Sequence, residues 1–264
     1  MALTQAEVAQ FHEQGFLIVE DLLTPDEVAV MRARTEEIAQ PDSPEQSRVL
    51  RQVEPAVARG EKEADDYEFS LRKMAGLALS RDEVFEAHAR RPRIVEIIKA
   101  LLGPNLVLYQ DQLFMKPPRV GSRQPYHQDQ PAGFDIDPPQ HLVSCWTALD
   151  DSTEENGCLW YLPGSHKLGA LTREERVEYE ARAQRGELGD AVPLVVRAGG
   201  CGFHHGWLLH ASGINLSDKR RRGYATHYVR SEWRYVGPPP KPARLVELGT
   251  DFLQVTGQRF PGCI

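Results

Sequence analysis

Past Leu106 the spacing of apolar residues changes from that of a helix to that of a strand, and this change constrains the fold more than any other feature of the chain. The segments LVLYQDQLFMK, PYHQD, HLVSCWTALDD, GCLWYLPGSH, VPLVVRAG, CGFHHGWLLH and RGYATHYVR are strand-like, and clusters of Gly, Pro, Asn and Ser separate them. Short strands at such intervals assemble into a sandwich or jelly roll. Residues 171–189 break the pattern. They are charged, open with Thr172-x-x-Glu175, and read as a helical insert.

The first part of the chain reads differently. Thr4-x-x-Glu7 is a capping box whose helix Gly15 ends, and Phe16-Leu17-Ile18-Val19 follows as a short strand. Thr24-Pro25-Asp26-Glu27 opens a second helix with proline at its first position. Residues 41–66 are polar with little periodicity and read as a surface loop with some helix. Ser80-x-x-Glu83 opens another helix. Pro92–Leu102 is apolar at helical spacing and stops at Gly103-Pro104. The expected architecture is mainly β with flanking helices in a single domain over residues 1–264. Its parts are a helical region over about 1–105 and a β core over about 106–235 carrying the insert.

Composition narrows the function. A net charge of -7 disfavours nucleic acid, since phosphate neutralisation needs a basic surface. The run Arg90, Arg91, Arg93 reads as a solvated face. Cys145, Cys158, Cys201 and Cys263 contain no C-x-x-C pair and read as free thiols in a reducing compartment. MALTQAEVAQFHEQ lacks the basic start and apolar run of a signal peptide, and Gly262-Cys263-Ile264 is not a peroxisomal address. No apolar run approaches the ~20 residues of a membrane span. The expectation is a cytoplasmic protein, monomer or homodimer, acting on a small molecule without a nucleic-acid or membrane partner.

His127 and Asp129 stand two apart in a strand-like run, so both side chains leave one face. An imidazole and a carboxylate so placed are two-thirds of the 2-His-1-carboxylate triad that holds non-haem iron and leaves other positions open. Among nine histidines an H-x-D match also arises by chance, so a distant second histidine is required. His210 is the candidate, ending the strand WLLH before turn residues Ser212, Gly213 and Asn215. That turn returns the chain as Arg220-Arg221-Arg222 on a strand expected beside His210, where an arginine fork suits the far carboxylate of a dianionic co-substrate. Arg220 and Arg222 have the opposite parity and should face away. His204 and His205, adjacent in a strand, face opposite ways and read as structural or as supports for the ligands. His166 reads as a fold-supporting turn residue. His227 shares Arg221's parity and points inward, or forms core hydrogen bonds.

The segment HASGINLSDKRRRGY resembles the second signature of the phytanoyl-CoA dioxygenase family, His-x-Ser-Gly-x-Asn-x-Ser with an arginine eleven residues after the histidine, here Arg221. The first signature stands as His127-Gln128-Asp129. Phe11-x(3)-Gly15-Phe16, Gly103-Pro104-Asn105, Lys116-Pro117-Pro118, Trp146-Thr147-Ala148, Gly157-Cys158-Leu159 and Leu162-Pro163-Gly164-Ser165-His166 match in order. The resemblance covers most of the chain. It implies a double-stranded β-helix (jelly roll, cupin-like) and an Fe(II)- and 2-oxoglutarate-dependent dioxygenase that uses O2 and releases succinate and CO2, usually hydroxylating an unactivated C–H bond.

Residue by residue, the resemblance implies iron on His127, Asp129 and His210, and 2-oxoglutarate on Arg221 and Ser212. Trp146 matches a pocket tryptophan, with core packing as its other reading. Lys73 matches loosely a lysine that reaches the co-substrate from the helical region, and reads equally as a solvated helix lysine. Gln112 faces the pocket if its run is a strand. Asp129 separates the chain from related halogenases, which carry a small residue there. The loop Gln130–Gln140, with Phe134, Asp135 and Asp137, is expected at the pocket mouth. Rival readings are a 2-oxoglutarate- and metal-binding sensor that has lost catalysis, and a zinc hydrolase, against which Arg221 argues.

Overall fold

The computed structural model describes residues 3–133, 136–137, 142–235 and 253–258. Helix α1 (Gln5–Gln14) precedes strand β1 (Phe16–Val19) and helix α2 (Pro25–Ala39). Strand β2 (Leu50–Val53), two single-turn helices, α3 (Pro55–Ala58) and α4 (Tyr67–Ser70), and strand β3 (Leu71–Ala75) follow. Helices α5 (Glu83–Ala89) and α6 (Pro92–Leu102) then lead into β4 (Leu106–Phe114), β5 (Gln124–His127), β6 (Ile136–Asp137), β7 (Val143–Ala148) and β8 (Leu159–Tyr161). Helix α7 (Arg173–Gln184) separates these from β9 (Val192–Pro193), β10 (Cys201–His205), β11 (His210–Ser212), β12 (Gly223–Arg230), β13 (Arg234–Tyr235) and β14 (Leu253–Thr256).

The helix starts are set locally. Thr4, Thr24 and Thr172 each accept from the backbone N–H three residues on, and the glutamate there returns the bond. Gly15 ends α1 at φ 85°, and a Cβ there would strike the His166 ring, which explains the pairing of that glycine with the PGSH turn. Asp82, not Ser80, caps α5. Its carboxylate accepts from Val84 N and Phe85 N, whereas Ser80 turns back onto Gly76 O.

The strands form a large antiparallel sheet, β1-β10-β7-β12-β4-β3-β2, with β14 also on β4, and a smaller one, β5-β11-β8-β9. Helices α2, α5 and α6 cover the outer face of the large sheet, while α7 packs on β5 of the smaller one. Ile94, Ile97, Ile98 and Leu102 of α6 and Phe85 of α5 share one buried cluster with Leu113, Cys145, Phe203, Tyr224 and Tyr228. Asp111, facing the same way, accepts the backbone N–H groups of Leu77, Ala78 and Leu79 and the Tyr224 hydroxyl, tying the β3–α5 connection to the sheet. A second apolar cluster, with Phe16, Trp146, Leu159, Tyr161, Leu194 and Ala225, lies between the two sheets beside the cavity. The expected jelly roll is therefore present.

Several expectations change. Strand β1 is the one expected at Phe16–Val19, but β2 and β3 also join the large sheet, so the first 105 residues hold more strand than expected. The segment 41–66 supplies β2, and Lys73 lies on a strand. The run CGFHHGWLLH is two strands in different sheets, parted by a turn at Gly206 and Trp207. Consequently His210 and Arg221 are not on adjacent strands; the chain crosses between sheets over residues 213–222, and the two face each other across the cavity. Phe134 and Asp135 of the expected mouth loop lie outside the described residues, as does Cys263. Among the described residues no helix is long and apolar enough to cross a membrane.

Candidate active site

The space between the sheets is a cavity of about 530 Å³. His127 closes β5 and His210 opens β11, and the two are cross-strand partners with ring centroids 4.1 Å apart. Strand β5 ends at His127, so Asp129 lies in the bend beyond it. It still reaches the same face because the intervening Gln128 is pinned the other way, donating to Gly169 O and Trp207 O and accepting from Leu171 N. The donor atoms of His127, Asp129 and His210 lie within 4.8 Å of one another.

Backbone carbonyls fix both imidazoles. His127 Nδ1 donates to Pro125 O (2.9 Å) and His210 Nδ1 to Leu208 O (3.0 Å), leaving each Nε2 with its lone pair free for a metal. Burial pushes both histidines down to about 4, so both are neutral at physiological pH, as coordination requires. Burial alone would raise Asp129, but His227 and His210, with the hydrogen bond from His204, hold it well below the usual carboxylate range. A cluster of two neutral imidazoles and one carboxylate fits a divalent cation.

Across the cavity Arg221 is 1% exposed. Its Nη2 donates to Gly157 O (2.7 Å) and its guanidinium lies 5.2 Å from the centroid of the Trp146 ring, while Nε and Nη1 have no partner. Such orphaned donors in a cavity call for an anion. Ser212 lines the same end. Its Oγ lies 3.1 Å from Lys116 Nζ, which also donates to Ser122 O and Gly213 O. Burial, then Arg221, pushes Lys116 down to about 6. A carboxylate seated here would meet the Arg221 guanidinium and the Lys116 amine.

Trp146 packs in the inner cluster and also lines the cavity, so both of its readings apply. Lys73, opposite Phe114 in register, donates to Gln112 Oε1 (2.8 Å), and both line the cavity. Lys73 thus arrives from a strand, not from a helix. Arg220 turns outward to Glu36 and Glu68, and Arg222 to Asp150 and Glu36, as their parity required. Of the histidine pair, His204 enters the site, 2.9 Å from Asp129, while His205 packs near Phe11 and His166. His227 also points inward, 3.3 Å from Asp129. Lys116 shares the parity of Gln112 and Phe114 in the run LVLYQDQLFMK, and all three line the cavity.

Comparison with known proteins agrees with this geometry. The profile of the phytanoyl-CoA dioxygenase (PhyH) family matches residues 11–223. The chain is 29% identical to phytanoyl-CoA dioxygenase domain-containing protein 1 of Danio rerio, over 87% of this chain and 91% of that one. It is 30% identical to the peroxisomal phytanoyl-CoA dioxygenase of Rattus norvegicus, over 86% and 68%. Among solved structures, EctD from S. alaskensis with bound Fe superposes with a TM-score of 0.74 at 20% identity, covering 98% of this chain and 88% of that one. The epimerase SnoN in complex with Fe3+, alpha ketoglutarate and nogalamycin RO superposes at 0.72 and 23%, covering 97% and 96%. With a family profile spanning most of its length and its signature residues meeting in one cavity, the chain belongs to the phytanoyl-CoA dioxygenase family.

Proposed function

We propose that His127, Asp129 and His210 hold Fe(II), that Arg221 and Ser212 receive the far carboxylate of 2-oxoglutarate, and that the protein hydroxylates an unactivated C–H bond of a small molecule. The reaction class comes with the family: an iron(II)- and 2-oxoglutarate-dependent dioxygenase. The observation that carries the residue assignment is the pairing, across one cavity, of a convergent His/Asp/His set with a buried guanidinium that has two unpartnered nitrogens.

When bound, iron and 2-oxoglutarate supply the oxidising power, with release of succinate and CO2. The chain supplies placement. The two neutral imidazoles of His127 and His210 and the carboxylate of Asp129 would hold the metal, which would keep positions open for other ligands. Arg221, fixed between Trp146 and Gly157 O, orients the dicarboxylate from its far end. Lys73 and Gln112, bonded to each other on the neighbouring wall, are placed to meet the near end or the substrate. The buried walls exclude water from the reacting centre. Asp129 occupies the position that a halide would need. The solved relatives carry small molecules, nogalamycin RO and 5-hydroxyectoine, which supports a small-molecule substrate here. Cys145, Cys158 and Cys201 are buried and unpaired, which supports a reducing, cytoplasmic setting.

The test is anaerobic titration of the apo-protein with Fe(II), then 2-oxoglutarate, monitored by the visible charge-transfer band of the chelate. The band should form, vanish in Asp129→Ala and weaken strongly in Arg221→Ala. Folded, metal-loaded protein without a band contradicts the assignment.

A further inference from the structure

The two oxygens of Asp129 have unlike surroundings. Oδ1 faces the triad, 3.7 Å from His210 Nε2. Oδ2 meets Ser144 Oγ at 2.6 Å, His204 Nε2 at 2.9 Å and His227 Nε2 at 3.3 Å. These three residues come from one row of the large sheet. His204 is the register partner of Ser144, and Ser144 of His227, on β10, β7 and β12. Their spacing is therefore fixed by the sheet ladder, with no loop involved.

A fourth residue extends the row from the opposite sheet. The Tyr161 hydroxyl lies 3.2 Å from His204 Nδ1. Tyr161 is itself the register partner of His210 on β11. Its hydroxyl fits because position 202 is glycine: a Cβ there would lie 2.4 Å from the hydroxyl oxygen. The direction of the bonds is settled by the acceptor at the far end. Asp129 accepts from His204 Nε2–H, so a neutral His204 has its lone pair at Nδ1, and Tyr161 O–H donates to it. One tautomer satisfies both ends.

An ionised carboxylate offers about two lone-pair sites per oxygen. The hydrogen bonds from Ser144 and His204 fill both sites of Oδ2, with His227 Nε2 beside them, while Oδ1 keeps its capacity. Resting on the metal-site reading above, we infer that Tyr161, His204, Ser144 and His227 are positioning residues that reserve Oδ2 of Asp129 and present Oδ1 alone to the metal. Asp129 then coordinates through one oxygen, and the position a second oxygen would take stays open for co-substrate and O2. The iron ligand most able to switch between one- and two-oxygen binding is thus locked by the sheet.

The experiment is Co(II) binding to the apo-form of the whole chain, in competition with a chromophoric chelator, with the Co(II) visible spectrum as a readout of coordination and circular dichroism for folding. Asp129→Ala should lose the site. His204→Phe should weaken Co(II) binding about 10- to 100-fold, the usual effect of removing a partner behind a metal ligand, and alter the spectrum. His204→Gln, which returns an N–H towards Oδ2, should recover most of both. Tyr161→Phe should give a smaller loss of the same kind. Wild-type affinity and spectrum in folded His204→Phe would overturn the inference while leaving the metal site standing, provided Asp129→Ala has lost it. Unchanged binding in Asp129→Ala would instead overturn the metal site itself. Should His204→Phe not fold, Tyr161→Phe decides in the same way, because unchanged affinity and spectrum there remove the role assigned to the row.

Discussion

Adjacent arginines on this chain have opposite fates. Arg222 is fully engaged, its Nε and Nη2 on Asp150 and its Nη1 on Glu36, whereas the buried Arg221 has only Gly157 O and the Trp146 face. A buried charge without a counter-charge costs stability, so removing it should not harm the empty fold. Arg221→Met is expected to leave apo thermal stability equal or higher. It should also raise the 2-oxoglutarate Kd by ~10- to 150-fold, the equivalent of the ~1.5–3 kcal/mol of a charged hydrogen bond. Scanning calorimetry on the apo-protein checks the first and titration calorimetry on metal-loaded protein the second, and metal affinity should stay unchanged. Lys116 adds a pH signature. Arg221 and Arg72 disfavour its charge, Glu54 and Cys158 favour it, and burial dominates, leaving it at about 6. A dianion bound nearby raises that value, so above pH 6 the complex holds a proton that the free protein lacks. Affinity for 2-oxoglutarate should therefore be greatest near pH 6 and fall as pH rises, by at most tenfold per unit. Kd measured from pH 6 to 9 should show this slope, and Lys116→Met should flatten it.

On the scale of strands, register does what local sequence does not announce. Gly223 is the case with the sharpest consequence. It opens β12 opposite Ala148, and a Cβ there would come within 2.0 Å of the Trp146 ring. Gly223→Ala should displace Trp146 from beneath Arg221. It should cost ~1–3 kcal/mol of stability from overpacking and weaken 2-oxoglutarate binding together with it, as denaturant melts and the chelate band would show. The three residues proposed to hold metal can be picked from the sequence because each half lies in a short contiguous motif, His127-Gln128-Asp129 and the HASGIN segment. The segment LRKMA, which carries Lys73, reads as part of the helical region. It is a strand through pairing with β4, a partner some forty residues on, and no local propensity announces that. Parity leaves His227 open between an inward position and core hydrogen bonding, and its neighbour Ser144 and the row they form with His204 exist only once β10, β7 and β12 are aligned.

For the whole molecule, the cavity gathers groups suited to a ligand: the candidate donors His127, Asp129 and His210, and Arg221 with two unpartnered nitrogens. Ligands that bind only the folded chain add RT ln(1 + [L]/Kd) to its stability, ~2.7 kcal/mol at a hundredfold excess over Kd. For a chain of this size each kcal/mol moves Tm by about 2–4 °C, so each saturating ligand should add roughly 5–10 °C. The order matters more than the size. Metal should raise Tm by itself, whereas 2-oxoglutarate without metal should add little, because its near end then has no cation to chelate it. Added after the metal, it should give a second step. Asp129→Ala should lose both steps, and Arg221→Met only the second. A chelator should return the wild-type protein to the apo value. Scanning calorimetry under anaerobic conditions reads the ladder directly. A full 2-oxoglutarate step in metal-free protein would mean that the anion end binds independently of the triad, and that the two halves of the cavity are not one site.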